Sequence, residues 1–185
     1  LCKMDLKTDS RMHYHGADGV YASVNEDGLL KLFWGESKVY ANPTDAIRDC
    51  LTSLAPFLLE NDHEGAGRER DLVLLSDKAD LSDPELTAAF KKYFDRTSPL
   101  SNRVEYCGIA LIAFDADFYP NDGTKAVADK IVSAAKGEMT KWMKNVKNRI
   151  GVEKLESFDI QFFCVPVPSA EGFRGSFLKA IGIDK

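Results

Sequence analysis

The sequence predicts an α/β domain built on a mixed central sheet flanked by helices. Three observations predict it. Residues 18–38 alternate apolar and polar side chains with a strand's period of two on both sides of a glycine-containing turn, the pattern of a β-hairpin. Two later runs, Val104–Phe114 and Phe158–Val165, are rich in β-branched and apolar residues, as buried strands are. Around them lie segments whose apolar residues recur at helical spacing.

In the hairpin, Val20, Ala22 and Val24 alternate with Tyr21 and Ser23, and Leu30, Leu32 and Trp34 alternate with Lys31 and Phe33. Between the two runs stands Asn25-Glu26-Asp27-Gly28. A loop of Glu26, Asp27 and Gly28 needs a left-handed last residue, which Gly28 supplies without a Cβ penalty. Asn25 then opposes Leu29, and the register pairs Val24 with Leu30, Ala22 with Leu32, Val20 with Trp34 and Asp18 with Glu36. Apolar residues meet along the whole buried face, which supports the register independently of the turn. Lys38 keeps the side of Glu36 if the strand continues that far. Asp18, Glu36 and Lys38 are therefore expected on one face at one end of the hairpin. A slip of one residue would set Asp18 against Gly35 and turn Glu36 to the other face.

Next, Asn42-Pro43-Thr44-Asp45 is a helix-start signal, and Ala46, Ile47, Cys50, Leu51, Leu54, Phe57 and Leu58 recur at helical spacing after it. Pro56 is expected to kink this helix or bend its last turn. Asn61–Gly67 reads as a loop and Asp71–Leu75 as a short helical piece. Ser82-Asp83-Pro84-Glu85 opens a helix that runs to about Phe94, and the polar Arg96–Arg103 segment with Pro99 reads as a loop. Val104–Phe114 follows as a buried strand, then a long helix from about Lys125 to Arg149. Phe158–Val165 reads as a second buried strand ended by Pro166 and Pro168. Ser169–Ile181 closes the chain as a helix with Ser169 as N-cap and Glu171 in its first turn. No internal repeat or low-complexity tract interrupts this order.

At 185 residues with 44% hydrophobic content, the chain has enough apolar material to bury a core, and residues 1–185 read as a single domain. Its first residue is Leu1 rather than methionine, so we expect it to be the C-terminal part of a longer protein. No apolar run approaches the ~18 residues of a membrane span, and no membrane partner is expected. Cys2, Cys50, Cys107 and Cys164 stand far apart without a zinc-binding spacing. Cys50 and Cys164 fall on apolar faces and read as small buried hydrophobes, and reduced thiols imply a cytoplasmic protein. A net charge of −5 excludes a general nucleic-acid binder, because non-specific binding is largely electrostatic.

The hairpin end carries the candidate chemistry. Magnesium, or manganese in its place, is a hard, oxygen-seeking cation that takes one or two carboxylates together with phosphate oxygens. Asp18 and Glu36 are the carboxylates for such an ion. The metal would polarise a phosphate and yield a nucleophilic water at neutral pH. Lys38 is placed to orient or deprotonate that water, or to stabilise charge building on the phosphoryl oxygens. The plain alternative is a hairpin whose polar end simply faces solvent.

This pattern, Asp18 and then Glu36-Ser37-Lys38 followed by a helix, resembles the PD-(D/E)xK, or restriction-endonuclease-like, nucleases. More narrowly, HGADGVY, LFWGESKVY with the helix after it, GIALIAFDADFYP and VPVPSAEGFRGSFLKAIG resemble the HamA C-terminal domain family, the effector of the Hachiman antiphage defence system. The resemblance spans most of the chain. It implies a restriction-endonuclease-like fold and a metal-dependent DNA nuclease controlled by a partner helicase subunit. Carried over residue by residue, it gives Asp18, Glu36 and Lys38 as catalytic, with Asp18 and Glu36 on the metal. Two features depart from the superfamily pattern. Ala17 precedes Asp18 where proline is common, and only Asp5 and Asp9 stand upstream for the acid that often sits on a preceding helix.

Other candidates are weaker. His13 and His15 share a strand spacing but lack a third ligand, and His63 lies in a polar segment. Asp115 and Asp117 follow the central strand and read as solvated turn residues rather than further metal ligands. Lys136, Lys141, Lys144, Lys147, Arg149 and Lys154 crowd the end of the long helix. Lys141, Lys144 and Lys147 form a stripe suited to a DNA backbone, although a cationic last turn also complements the helix dipole without any ligand. Two rival functions remain open on these residues. One is a catalytically inactive interaction module, and the other is a metal-dependent phosphohydrolase of small substrates.

Overall fold

The computed structural model of the chain describes residues 17–59, 72, 84–95, 97–120 and 128–183. The expected elements at Asn61–Gly67 and Asp71–Leu75, apart from the helical Leu72, together with Cys2, Asp5, Asp9, His13, His15 and His63, lie outside the described residues. The order is β1 (Gly19–Val24), β2 (Leu30–Tyr40), α1 (Pro43–Leu58), α2 (Pro84–Lys91), β3 (Val104–Asp115), α3 (Ala128–Val152), β4 (Ile160–Val167) and α4 (Ala170–Ala180). The strands form one sheet in the order β1-β2-β3-β4. β1 is antiparallel to β2. The amide of Leu30 donates to Arg103 at the start of β2, and Asp115 donates to Ala41 at its end, so β2 and β3 run parallel. Gly108 to Asp159 and Ala116 to Val167 make β3 and β4 parallel in the same way. This is the mixed sheet flanked by helices that the sequence predicts, with helices supplying the crossovers that parallel strands require.

The hairpin register is the expected one: Val24 pairs with Leu30, Ala22 with Leu32 and Val20 with Trp34. Gly28 takes φ of 72°, its amide donates to Asn25 O at 3.0 Å, and Leu29 N–H donates to the Asn25 side chain at 2.8 Å. Asn42 caps α1 by accepting from Thr44 N–H at 2.8 Å, and Pro56 sits in the last turn, where the helix ends at Leu58. Ser169 caps α4 as expected, accepting from Gly172 N–H at 3.1 Å.

Several boundaries move. α2 stops at Lys91, and Lys92 to Phe94 continue as a tighter turn with bonds three residues back. The segment read as a loop before β3 holds a 3-10 turn at Pro99–Asn102, started by Ser98. α3 runs to Val152 and ends on Lys154, which takes the left-handed conformation at φ 59°.

The hairpin's apolar face is buried on β2 but not on β1, where Ala22 and Val24 are exposed, and two later strands read as buried are open on one face. Leu111 of β3 is 44% exposed. In β4, Phe163 is 49% and Val165 43% exposed, and β4 starts at Ile160 and includes Pro166. Among the described residues β4 is the sheet's edge, where the missing proline N–H breaks no ladder bond. An apolar run alone does not tell an edge strand from a central one.

The chain divides into two compact units: residues 1–36, 53–109 and 157–161, and residues 37–52, 110–156 and 162–185. In the first, Leu30, Leu32, Trp34, Leu54 and Leu58 are fully buried, and the Trp34 and Tyr106 rings meet edge-on at 5.5 Å. In the second, Ile47, Cys50, Leu51, Ile112 and Phe114 are buried, and Phe114 packs edge-on against Trp142 at 4.9 Å. No helix of the described residues is long and apolar enough to cross a membrane.

Candidate functional site

The first unit holds the two candidate carboxylates. The last ladder pair is Gly19 with Gly35. Asp18 precedes it and Glu36 follows it, and the chain bends at Asp18, whose amide donates to Gly35 O at 2.8 Å. A Cβ on Gly19 or Gly35 would stand 3.2–3.3 Å from the Tyr21 side chain, so the glycine pair is what lets that ring cover the strand ends. Asp18 is exposed, whereas Glu36 is only 5% exposed, the one charged side chain among the described residues that is buried. A carboxylate this deep persists only when donors or a cation hold it, because burying the bare charge costs several kcal/mol. Asp18, at the bend before β1, and Glu36, on β2, offer only oxygen donors, which suit magnesium or manganese better than a soft metal.

The second unit holds Lys38, two residues beyond Glu36 on β2 and half-buried. Its surroundings include an acid that the sequence did not single out. Asp49 of α1 is held below the usual carboxylate range by hydrogen bonds from Arg48 and Tyr40, with the charges of Arg48 and Lys38 acting in the same direction. Arg48 reaches Asp49 at 2.8 Å and Asp45 at 2.7 Å. Tyr40 is correspondingly raised, chiefly by its bond to Asp49, while Lys38 pulls it back. Helical spacing marks the face on which Asp49 lies. It does not reveal that the face meets the end of β2.

A cavity of about 540 Å³ opens where β2 and β3 end, lined by Lys38, Tyr40, Asp115, Glu171 and Arg174 among others. The carboxyl ends of parallel strands are where open α/β sheets bind ligands. Asp115 is not a free turn residue: its carboxylate accepts the N–H of Ala170 at 2.5 Å and closes the start of α4. Asp117 is exposed in a second cavity of about 750 Å³. Lys141 lines that cavity too and pairs with Glu138 at 3.6 Å, while Lys144 and Lys147 are exposed on α3. The stripe therefore exists as a solvated helix face.

A further cluster of ligand-type side chains lies in the first unit. The ligand atoms of Glu105, Cys107 and Asp159 lie within 4.8 Å of one another. Lys31 stands among them, 3.1 Å from Asp159 and 3.6 Å from Glu105, and its pKa is raised chiefly by the Asp159 bond. Burial and the neighbouring Glu105 carboxylate push the Cys107 thiol up to about 11. A metal held by these three groups would have to displace the thiol proton and compete with the Lys31 ammonium. The cluster reads as an ion pair laid over a buried cysteine. The sequence hid it because its members come from three strand ends far apart in the chain.

A family model described as HamA matches residues 1–181. No curated protein and no solved structure matches the chain.

Proposed function

We propose that this chain, which belongs to the HamA family and is thereby a component of Hachiman antiphage defence, is a metal-dependent DNA nuclease controlled by a partner helicase. Glu36 is the observation that carries the reading. It is the buried carboxylate of the described residues, it directly follows the Gly19–Gly35 pair at the hairpin's end, and the Asp18 amide is bonded to the residue beside it. Asp18 and Glu36 are the residues that would hold magnesium or manganese. A bound ion of this kind supplies Lewis-acid polarisation of a phosphodiester and a nucleophilic water at neutral pH. Asp18, open to solvent, would leave such an ion accessible to substrate, and Glu36, fixed in the strand, would be its buried anchor. The Lys38 ammonium orients the attacking water or stabilises the charge that grows on the phosphoryl oxygens.

The test is plasmid degradation with and without magnesium, by the chain alone and with its helicase subunit. Wild type is compared with Glu36→Ala and Lys38→Ala. Metal-dependent cleavage that falls by roughly a hundredfold or more in both variants is the expected result. Cleavage that survives both substitutions would sink the site. Turnover of nucleotides or phosphomonoesters without DNA cleavage would favour a small-substrate phosphohydrolase. No turnover of either kind, with no metal binding by the wild-type chain, would leave an inactive interaction module.

A further inference from the structure

The cavity at the ends of β2 and β3 contains an arginine that the chemistry above does not use. Arg174, in the second turn of α4, donates through Nη2 to the carbonyl of Val39 at 3.1 Å. Its Nη1 bonds the Glu171 carboxylate at 3.1 Å. One arm of the guanidinium is thus fixed to the strand that carries Lys38. The other rests on a side chain that is 84% exposed. Exposed pairs of this kind contribute little, so Glu171 is a weak occupant of the position. Through one oxygen its carboxylate occupies the Nη1 position that an anionic phosphate oxygen would take. The start of α4 does not supply the anion site. The amides of Ala170, Gly172 and Phe173 already donate to Asp115, to the Ser169 side chain and to the Ser169 carbonyl.

We propose that Arg174 binds a backbone phosphate of the nucleic-acid strand in the cavity shared with Lys38, and that Glu171 holds the guanidinium until the phosphate displaces it. This rests on the nuclease reading and names the contact that would align the strand along β2.

The experiment is fluorescence anisotropy of a labelled DNA duplex with the full chain over a series of low salt concentrations, in calcium so that binding is read without cleavage. Wild type is compared with Arg174→Ala, Arg174→Lys and Glu171→Gln. Arg174→Ala should weaken binding roughly 3- to 10-fold and lower the slope of log K against log salt by about one. Arg174→Lys should restore the slope but only part of the affinity, because a point charge replaces a fork. Glu171→Gln leaves Arg174 and its Val39 bond in place and should tighten binding by about 2-fold or more. Equal affinity and slope in wild type and Arg174→Ala, or no gain in Glu171→Gln, would overturn the proposal. So would failure of the wild-type chain to bind at the lowest salt. The nuclease reading has its own failure, survival of plasmid cleavage in Glu36→Ala, which this binding assay does not touch.

Discussion

Cys107 shows how far a single residue's chemistry follows from its surroundings. The sequence marks it only as one of four scattered cysteines. In the fold it is fully buried on β3 beside Lys31, Glu105 and Asp159, and its thiol is pushed up to about 11 by burial first and by the Glu105 charge second. Two consequences are measurable. In the native chain Cys107 should resist iodoacetamide at pH 8 and react only after denaturant is added, because the thiolate is the nucleophile. The sign of the pH effect also follows. A group whose folded pKa lies above its ordinary 9.0 favours the protonated form, so its stabilising contribution is complete below about 9 and is lost as pH rises toward about 11. Urea melts across that window should show falling stability in wild type and a flatter profile in Cys107→Ala. Labelling of Cys107 in the folded state would contradict the burial account. None of this was legible from spacing, because Lys31 and Asp159 are 128 residues apart. Glu36 was legible, because its place depends on a turn only eight residues away.

At the scale of elements, what the sequence revealed is what short-range chemistry controls. The hairpin depends on Gly28, whose φ of 72° is strained for any residue with a Cβ. The loop it closes is also held from outside, by the Tyr93 hydroxyl on Gly28 O at 3.1 Å and by Arg103 on Asp27 O. Gly28→Ala should therefore cost about 1–2 kcal/mol, seen as a lower urea midpoint with an unchanged m-value. A loss well below that would mean the loop relaxes into another turn and the register is not pinned there. The caps of α1 and α4 were legible for the same reason, since Asn42 and Ser169 act on amides two and three residues on. The character of β4 was not. Whether Leu111, Phe163 and Val165 are buried depends on whether another layer covers that face of the sheet, and the run itself carries no record of that. The Arg174–Val39 contact escaped in the same way, linking residues 135 apart.

Across the whole molecule, charge decides how a chain of this kind meets DNA. A net charge of −5 repels a polyanion at long range, and non-specific affinity for duplex comes mainly from cations that release counterions. The local exceptions are modest. Lys141, Lys144 and Lys147 lie exposed on α3, with Lys141 partly offset by Glu138. Lys38 and Arg174 share their cavity with Asp115 and Glu171. So few phosphate contacts give a shallow salt dependence and weak binding, well short of the slope of a protein that neutralises six to ten phosphates. The purified chain should then bind duplex DNA only weakly at physiological salt, roughly at or above the 10⁻⁴–10⁻⁶ M of non-specific binders. If the proposed helicase partner delivers the substrate, the two together should engage DNA at concentrations where neither the net charge nor the low salt slope of the chain alone would allow it. Anisotropy titrations of the chain, the helicase and the two together, at matched salt, measure this directly. Tight binding by the chain alone would mean that a basic groove, and not delivery by a partner, brings the strand to Lys38. Control by the helicase would then have to act on cleavage itself and not on access to DNA.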